Sequence, residues 1–95
     1  MNVMNVNNTC KTITLVANTS QTVEVDKSNY VSIYNSGTTV SYVKSGYDTV
    51  TADADATFIP PGHNISYERD FKETHMAFFN PDEAAVLHVQ LGEGV

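Results

Sequence analysis

Apolar and polar residues alternate along much of this chain with the period of a β-strand. From Tyr30 to Asn35, Val31 and Ile33 alternate with Ser32 and Tyr34, the pattern of a half-buried strand. Asn35-Ser36-Gly37 follows, residues that tolerate positive φ, and the spacing predicts a tight reversal into a return strand at 38–43 with Val40 and Tyr42 continuing the alternation. In the last strand, 84–91, Ala85, Leu87, Val89 and Leu91 alternate with Val86, His88 and Gln90. A closing pair of 74–80 with 84–91 is expected, joined through the turn Asn80-Pro81-Asp82-Glu83.

The remaining segments are shorter. Residues 12–17 read as a first strand with Ile13, Leu15 and Ala17 inward. Residues 22–26 return with Val23 and Val25 inward, and Asp26-Lys27-Ser28-Asn29 forms the next turn. Lys44-Ser45-Gly46 breaks the ladder, 47–51 is expected as a short strand, and Asp53-Ala54-Asp55 is a loop tip. A short strand at 57–59 ends at Pro60 and Pro61, which cannot donate to a ladder, and Gly62 can take a φ closed to other residues. Residues 63–68 place Ile65 and Tyr67 on one face, and 69–73 is a charged connection. About eight short strands separated by turn signals predict an all-β fold, a small antiparallel β-sandwich or jelly-roll-like barrel. Ile33, Leu87 and Val89 are expected in its core.

Composition agrees. The chain has 3 Leu against 12 Val and 11 Thr, and no window shows a helical i, i+3, i+4, i+7 apolar pattern. Its 95 residues make one domain, able to bury about 60–65% of the unfolded surface. Residues 10–95 are expected to form that domain, with 1–9 a flexible, Asn-rich N-terminal arm.

Charge excludes several classes. The formal net charge is −6, and the five basic residues, Lys11, Lys27, Lys44, Arg69 and Lys72, form no stripe, so neither direct nucleic-acid binding nor docking on anionic membranes is expected. The longest unbroken apolar runs, 76–79 and 84–87, are four residues, too short for a membrane span. The start has neither a basic region nor an apolar core, so no signal peptide is expected. The three sequons at Asn7, Asn18 and Asn64 are then chance matches. Cys10 is the single cysteine; no intrachain disulfide can form, and it reads as a small apolar residue in or near the first strand.

The turn Asn35-Ser36-Gly37, the aromatic-bearing strand after it, the Thr/Ala/Asp loop from Thr49 to Ala56 and the corner Pro61-Gly62 together resemble a module of small tailed-bacteriophage structural proteins. The resemblance covers roughly residues 23–91. It implies a capsid decoration, head-fibre or tail accessory component, and supplies no catalytic residues.

The residues themselves offer little chemistry. His63, His75 and His88 lie on or beside strands, and cupin-like barrels gather metal-binding histidines from separate strands. No H-x-H pair occurs, however, and the parity of His88 points it to solvent. Asp48, Asp53 and Asp55 lack the spacing and distal Glu of a calcium loop. Glu68, Asp70 and Glu73 cluster in a polar connection instead of a sheltered site. Nucleophile-elbow and phosphate-loop motifs are absent.

The tyrosines carry more. With Val31 and Ile33 inward, Tyr30 and Tyr34 lie on the outer face, as interface anchors or as ordinary cross-strand aromatic pairs. Val3, Met4 and Val6 in the N-terminal segment are the other interface candidates, set to pack on a neighbouring subunit or a virion lattice. The expectation is a non-enzymatic virion structural protein, with no cofactor or metal, docking on a phage capsid or tail protein as a homo-oligomer. A glycan- or host-surface-binding sandwich module is the first alternative, and a cupin-like metal enzyme the second.

Overall fold

A computed structural model describes residues 4–25, 30–68, 70 and 72–94, with side chains described except at 4–10, 67, 93 and 94. The chain forms eight strands: β1 (Met4–Thr14), β2 (Gln21–Glu24), β3 (Tyr30–Asn35), β4 (Ser41–Gly46), β5 (Thr57–Ile59), β6 (Asn64–Glu68), β7 (His75–Phe79) and β8 (Val86–Gly94). They make two four-stranded antiparallel sheets, sheet A in the order β1-β8-β3-β6 and sheet B in the order β2-β7-β4-β5. β1 pairs with β8, β2 with β7, β3 with β6 and β4 with β5, so first meets last throughout. The chain is thus one long antiparallel ribbon, folded back between β4 and β5. It is then rolled up so that β8 also pairs with β3 and β7 with β4. That winding is a jelly roll.

The alternation legible in β3 and β8 sets the core. Register places Ile33 opposite Val89 and Val31 opposite Leu91 in sheet A, and Val43 opposite Phe78 in sheet B. Ile33, Leu87 and Val89 are fully buried, packed with Met76, Phe78, Ile13 and Leu15 from both sheets. Val25 is buried, Val23 and Ile65 pack partly against this core, and Ala17 is exposed instead of inward.

Several connections differ from the sequence expectation. β3 and β4 form no hairpin, because Asn35-Ser36-Gly37 carries the chain from sheet A to sheet B. β7 and β8 likewise lie in different sheets. Of consecutive strands, only β4 and β5 pair among the described residues. Five or six residues easily cross the ~10 Å between packed sheets, so a polar turn serves a crossover as well as a hairpin. In β4 the inward residues are Ser41 and Val43, and Tyr42 points outward. The segment 47–51 is no strand. It begins a connection whose Val50 carbonyl accepts from Thr22 Oγ1 at 2.6 Å and whose Ala52 N–H donates to Ser20 Oγ at 2.9 Å. To reach β2 from β4 this connection crosses β7, which explains why Ala77, at an outward position between Met76 and Phe78, is fully buried. β1 begins at Met4, and Met4, Asn5, Val6 and Thr9 pair with β8 on either side of a bulge between Val6 and Thr9, so this part of the segment expected as an arm lies in the sheet. The turn expected at 26–29 lies outside the described residues.

One end of the roll is tied by polar side chains. Asn35, buried among apolar groups, donates from Nδ2 to the carbonyls of Thr39 and Ile59, both at 2.9 Å, and accepts at Oδ1 from the Gly37 N–H at 2.9 Å. Asn80, also fully buried, donates from Nδ2 to Ser41 Oγ at 3.0 Å. Its Oδ1 accepts from Thr39 Oγ1 at 3.1 Å and from the N–H groups of Asp82 and Glu83 at 2.9 and 3.0 Å. The Glu83 carboxylate accepts from the Thr38 N–H at 2.6 Å, the Thr39 N–H at 2.9 Å and Thr38 Oγ1 at 2.9 Å. The Thr38 N–H above all, then the Thr38 hydroxyl and the Thr39 N–H, holds its carboxyl below the usual carboxylate value. Backbone bonds add Asn18 N–H to the Asn80 carbonyl at 2.7 Å and Gly62 N–H to the Asn35 carbonyl at 2.8 Å. All four loops at this end, 15–20, 36–40, 60–63 and 80–85, are thereby joined.

Two glycines explain themselves differently. Gly62 takes φ 72°, as its place in the Pro-Pro-Gly corner requires. Gly37 has no positive φ; it is small because a Cβ there would run into the Glu83 carboxylate and come within 2.9 Å of Ala85 Cβ.

Candidate binding surfaces

The interior of the roll is occupied by apolar side chains, so chemistry is confined to faces, edges and loop ends. The residues singled out from sequence for chemistry do not converge. His63 sits in the β5–β6 corner, His75 begins β7 with Nδ1 2.7 Å from Thr74 Oγ1, and His88 is exposed on the outer face of β8. Among the described residues no group of three His, Cys, Asp or Glu side chains is placed to hold a metal ion. Asp53 and Asp55 line an open hollow of about 410 Å³ with Lys44, beneath the connection that crosses sheet B. Asp48 is exposed apart from that hollow. Glu68 and Asp70 are exposed, and the Asp70 side chain accepts from the Lys72 N–H at 2.9 Å in a local turn.

The outer face of sheet A is built from the alternate positions of four strands. In one cross-strand row stand Thr12, His88, Tyr34 and Asn64, and in the next Cys10, Gln90, Ser32 and Ser66. Tyr34 is 42% exposed, and its ring lies 6.1 Å from the His88 ring, tilted by 33°. Tyr30 shares the face and is half-buried, in the row of Gly92 and, across it, Val6. The structure therefore brings the backbone position of Val6 and both tyrosines onto one sheet. Met4 lies at the end of the same β1–β8 ladder, opposite Gly94, and Val3 lies outside the described residues.

A second surface went unmarked in the sequence. At the open side of the roll, where β5 edges sheet B and β6 edges sheet A, a cleft of about 560 Å³ is lined by Phe58, Pro60, His63, Asn64 and Ile65, among others. Phe58 is 62% exposed, the most exposed large apolar side chain among those described. By register it stands beside Tyr42, and Tyr42 beside Phe79, whose ring centroid is 6.3 Å away. A three-residue strand has too little alternation to show which of Phe58 and Ile59 faces the core. The only cue was a large aromatic next to a corner that limits pairing.

No family model matches this chain, and comparison with curated proteins and with solved structures finds no match to either.

Proposed function

We propose that this chain is a non-enzymatic structural component of a tailed-phage virion, a jelly-roll domain that docks on a capsid or tail protein and assembles there as a homo-oligomer. The observation that carries the reading is the jelly-roll winding around a filled interior, on which the phage-like turn and corner motifs sit. Jelly rolls serve viral capsids, lectins and cupins, so the winding narrows the choice without making it. A cupin-type enzyme would need polar ligands turned inward between the sheets. Here that space holds Ile33, Met76, Phe78 and Leu87.

The edge of sheet A favours assembly. β1 is an eleven-residue edge strand that contains one charged residue, Lys11, and no proline. Monomeric sandwiches usually blunt such an edge with charge, proline or shortness, because its outer N–H and C=O groups accept a neighbour's strand. Mass spectrometry of purified particles, with native mass analysis of the isolated chain, tests the reading. The expected result is the chain present in virions at a fixed copy number and oligomeric alone. Thr12→Lys with Thr14→Lys, both at exposed positions of β1, should keep the fold and reduce oligomer and particle occupancy. A monomer absent from particles would overturn the proposal.

A further inference from the structure

We infer that the cleft between β5 and β6, with the adjoining Tyr34 row of sheet A, is a binding site for a neutral oligosaccharide. The inference does not depend on the virion reading and would hold for the isolated domain. Three observations combine. First, the site offers two exposed aromatic platforms on either side of Asn64: Phe58, 62% exposed, in the cleft, and Tyr34, 42% exposed, directly across the β3–β6 ladder from Asn64. Such rings present flat apolar faces against which the C–H face of a pyranose can stack.

Second, the polar groups between them have defined roles. Asn64 Oδ1 accepts from Ser32 Oγ at 2.8 Å, which leaves the Asn64 amide nitrogen to donate. His63 Nδ1 lies 3.0 Å from the Pro61 carbonyl, which can only accept, so in the neutral ring Nδ1 carries the hydrogen and Nε2 is an acceptor. An amide donor and an imidazole acceptor next to each other suit the paired hydroxyls of a sugar. A cleft of about 560 Å³ also falls within the usual range for small-molecule sites, roughly 300–1,000 Å³.

Third, charge selects the occupant. Among the described residues no Asp, Glu, Lys or Arg lines the cleft or stands in the Tyr34 row, although the whole chain carries −6. An anionic sugar would find no cation there and a net repulsive chain. An extended peptide is less well served on the sheet B side, where β5 has three residues and runs into Pro60 and Pro61, which have no N–H to offer a ladder.

The test is an amide-resolved NMR titration of the full chain at millimolar concentrations of malto-, cello-, chito- and manno-oligosaccharides, with oligogalacturonate and a proline-rich peptide as controls. At least one neutral sugar should shift the amides around Phe58, His63, Asn64 and Tyr34. Phe58→Ala should weaken that binding by about tenfold or more, and Asn64→Ala should also weaken it, both without lowering the unfolding midpoint, because both side chains are exposed. No shift with any neutral member, shifts elsewhere on the roll, or preferential binding of either control would each overturn the inference.

Discussion

Asn80→Ala strikes the tie that joins the loops at one end of the roll. The wild-type carboxamide makes four hydrogen bonds, to Ser41 Oγ, Thr39 Oγ1 and the N–H groups of Asp82 and Glu83. Asp82 is exposed and Glu83 half-exposed, so those two N–H groups can turn partly to water. Ser41 is fully buried and cannot. A net hydrogen bond contributes roughly 0.5–1.5 kcal/mol and a stranded buried polar group costs roughly 1–3 kcal/mol, so the expected loss is about 2–4 kcal/mol. Against the ~5–15 kcal/mol of a typical domain that is a large fraction, and it corresponds to a fall in midpoint of roughly 10–25 °C. With no Trp and five Tyr in the chain, urea unfolding is best followed by far-UV circular dichroism and tyrosine fluorescence. Ser41→Ala, which removes one partner, should cost less. The double variant should cost less than the sum of the two, by about 1 kcal/mol. If Asn80→Ala unfolded within ~0.5 kcal/mol of wild type, or the two substitutions simply added, Asn80 would not be the tie described here.

Other outcomes follow from the same packing. Gly37→Ala should destabilise by roughly 1–3 kcal/mol, because the added methyl meets the Glu83 carboxylate and Ala85; an unchanged thermal midpoint would contradict the close approach. Leu87→Ala, at a fully buried position of β8, should cost about 2–5 kcal/mol in urea unfolding, and an unmoved midpoint would mean the register is wrong. Glu83 titrates below its ordinary 4.5 in the folded chain, so its contribution is fully present above that value and is lost as pH falls below it through the folded pKa. The stability advantage of wild type over Glu83→Gln should therefore shrink on acidification below about pH 4.5; a constant difference across that range would show that the carboxylate bonds to Thr38 and Thr39 do not form in solution.

What the sequence made legible was local. Val31, Ile33, Leu87, Val89 and Leu91 declare their faces by strict alternation, and all five are buried. β4 was harder, because its one inward aliphatic, Val43, sits beside an aromatic, Tyr42, that could equally fill a core. Pairing was not legible at all. Asn35-Ser36-Gly37 has the residues of a hairpin, yet nothing in a turn's chemistry records whether the next strand lies alongside or in the opposite sheet. The two buried asparagines were hidden for a related reason. Asn35 and Asn80 look like ordinary turn residues, and their burial comes only from loops that meet through the roll, with partners such as Ile59 and Ser41 that are distant in sequence.

The same geometry limits where function can reside. Asn35, Asn80 and Glu83 commit one end of the roll to its own loops, and the connection over Ala77 covers part of the outer face of sheet B. Among the described surfaces left uncommitted are the hydroxyl- and amide-rich Tyr34 and Ser32 rows on the face of sheet A, the edge of β1, and the aromatic cleft between β5 and β6. The edge can satisfy only another strand, because what it offers is backbone. The Tyr34 row and the cleft offer side chains with no carboxylate, ammonium or guanidinium group, which suits a ligand rich in hydroxyls; Glu68, on the same face, stands two rows away beside Tyr30. The proposed assembly through the edge and the proposed recognition through the cleft would use different sides of the roll, since β1 and β6 are opposite margins of sheet A. Thr14→Lys alone, at an exposed position of β1 outside the Tyr34 row, should therefore leave any sugar binding intact, and Phe58→Ala should leave any self-association intact. Loss of both properties from either substitution would mean that the two surfaces are one.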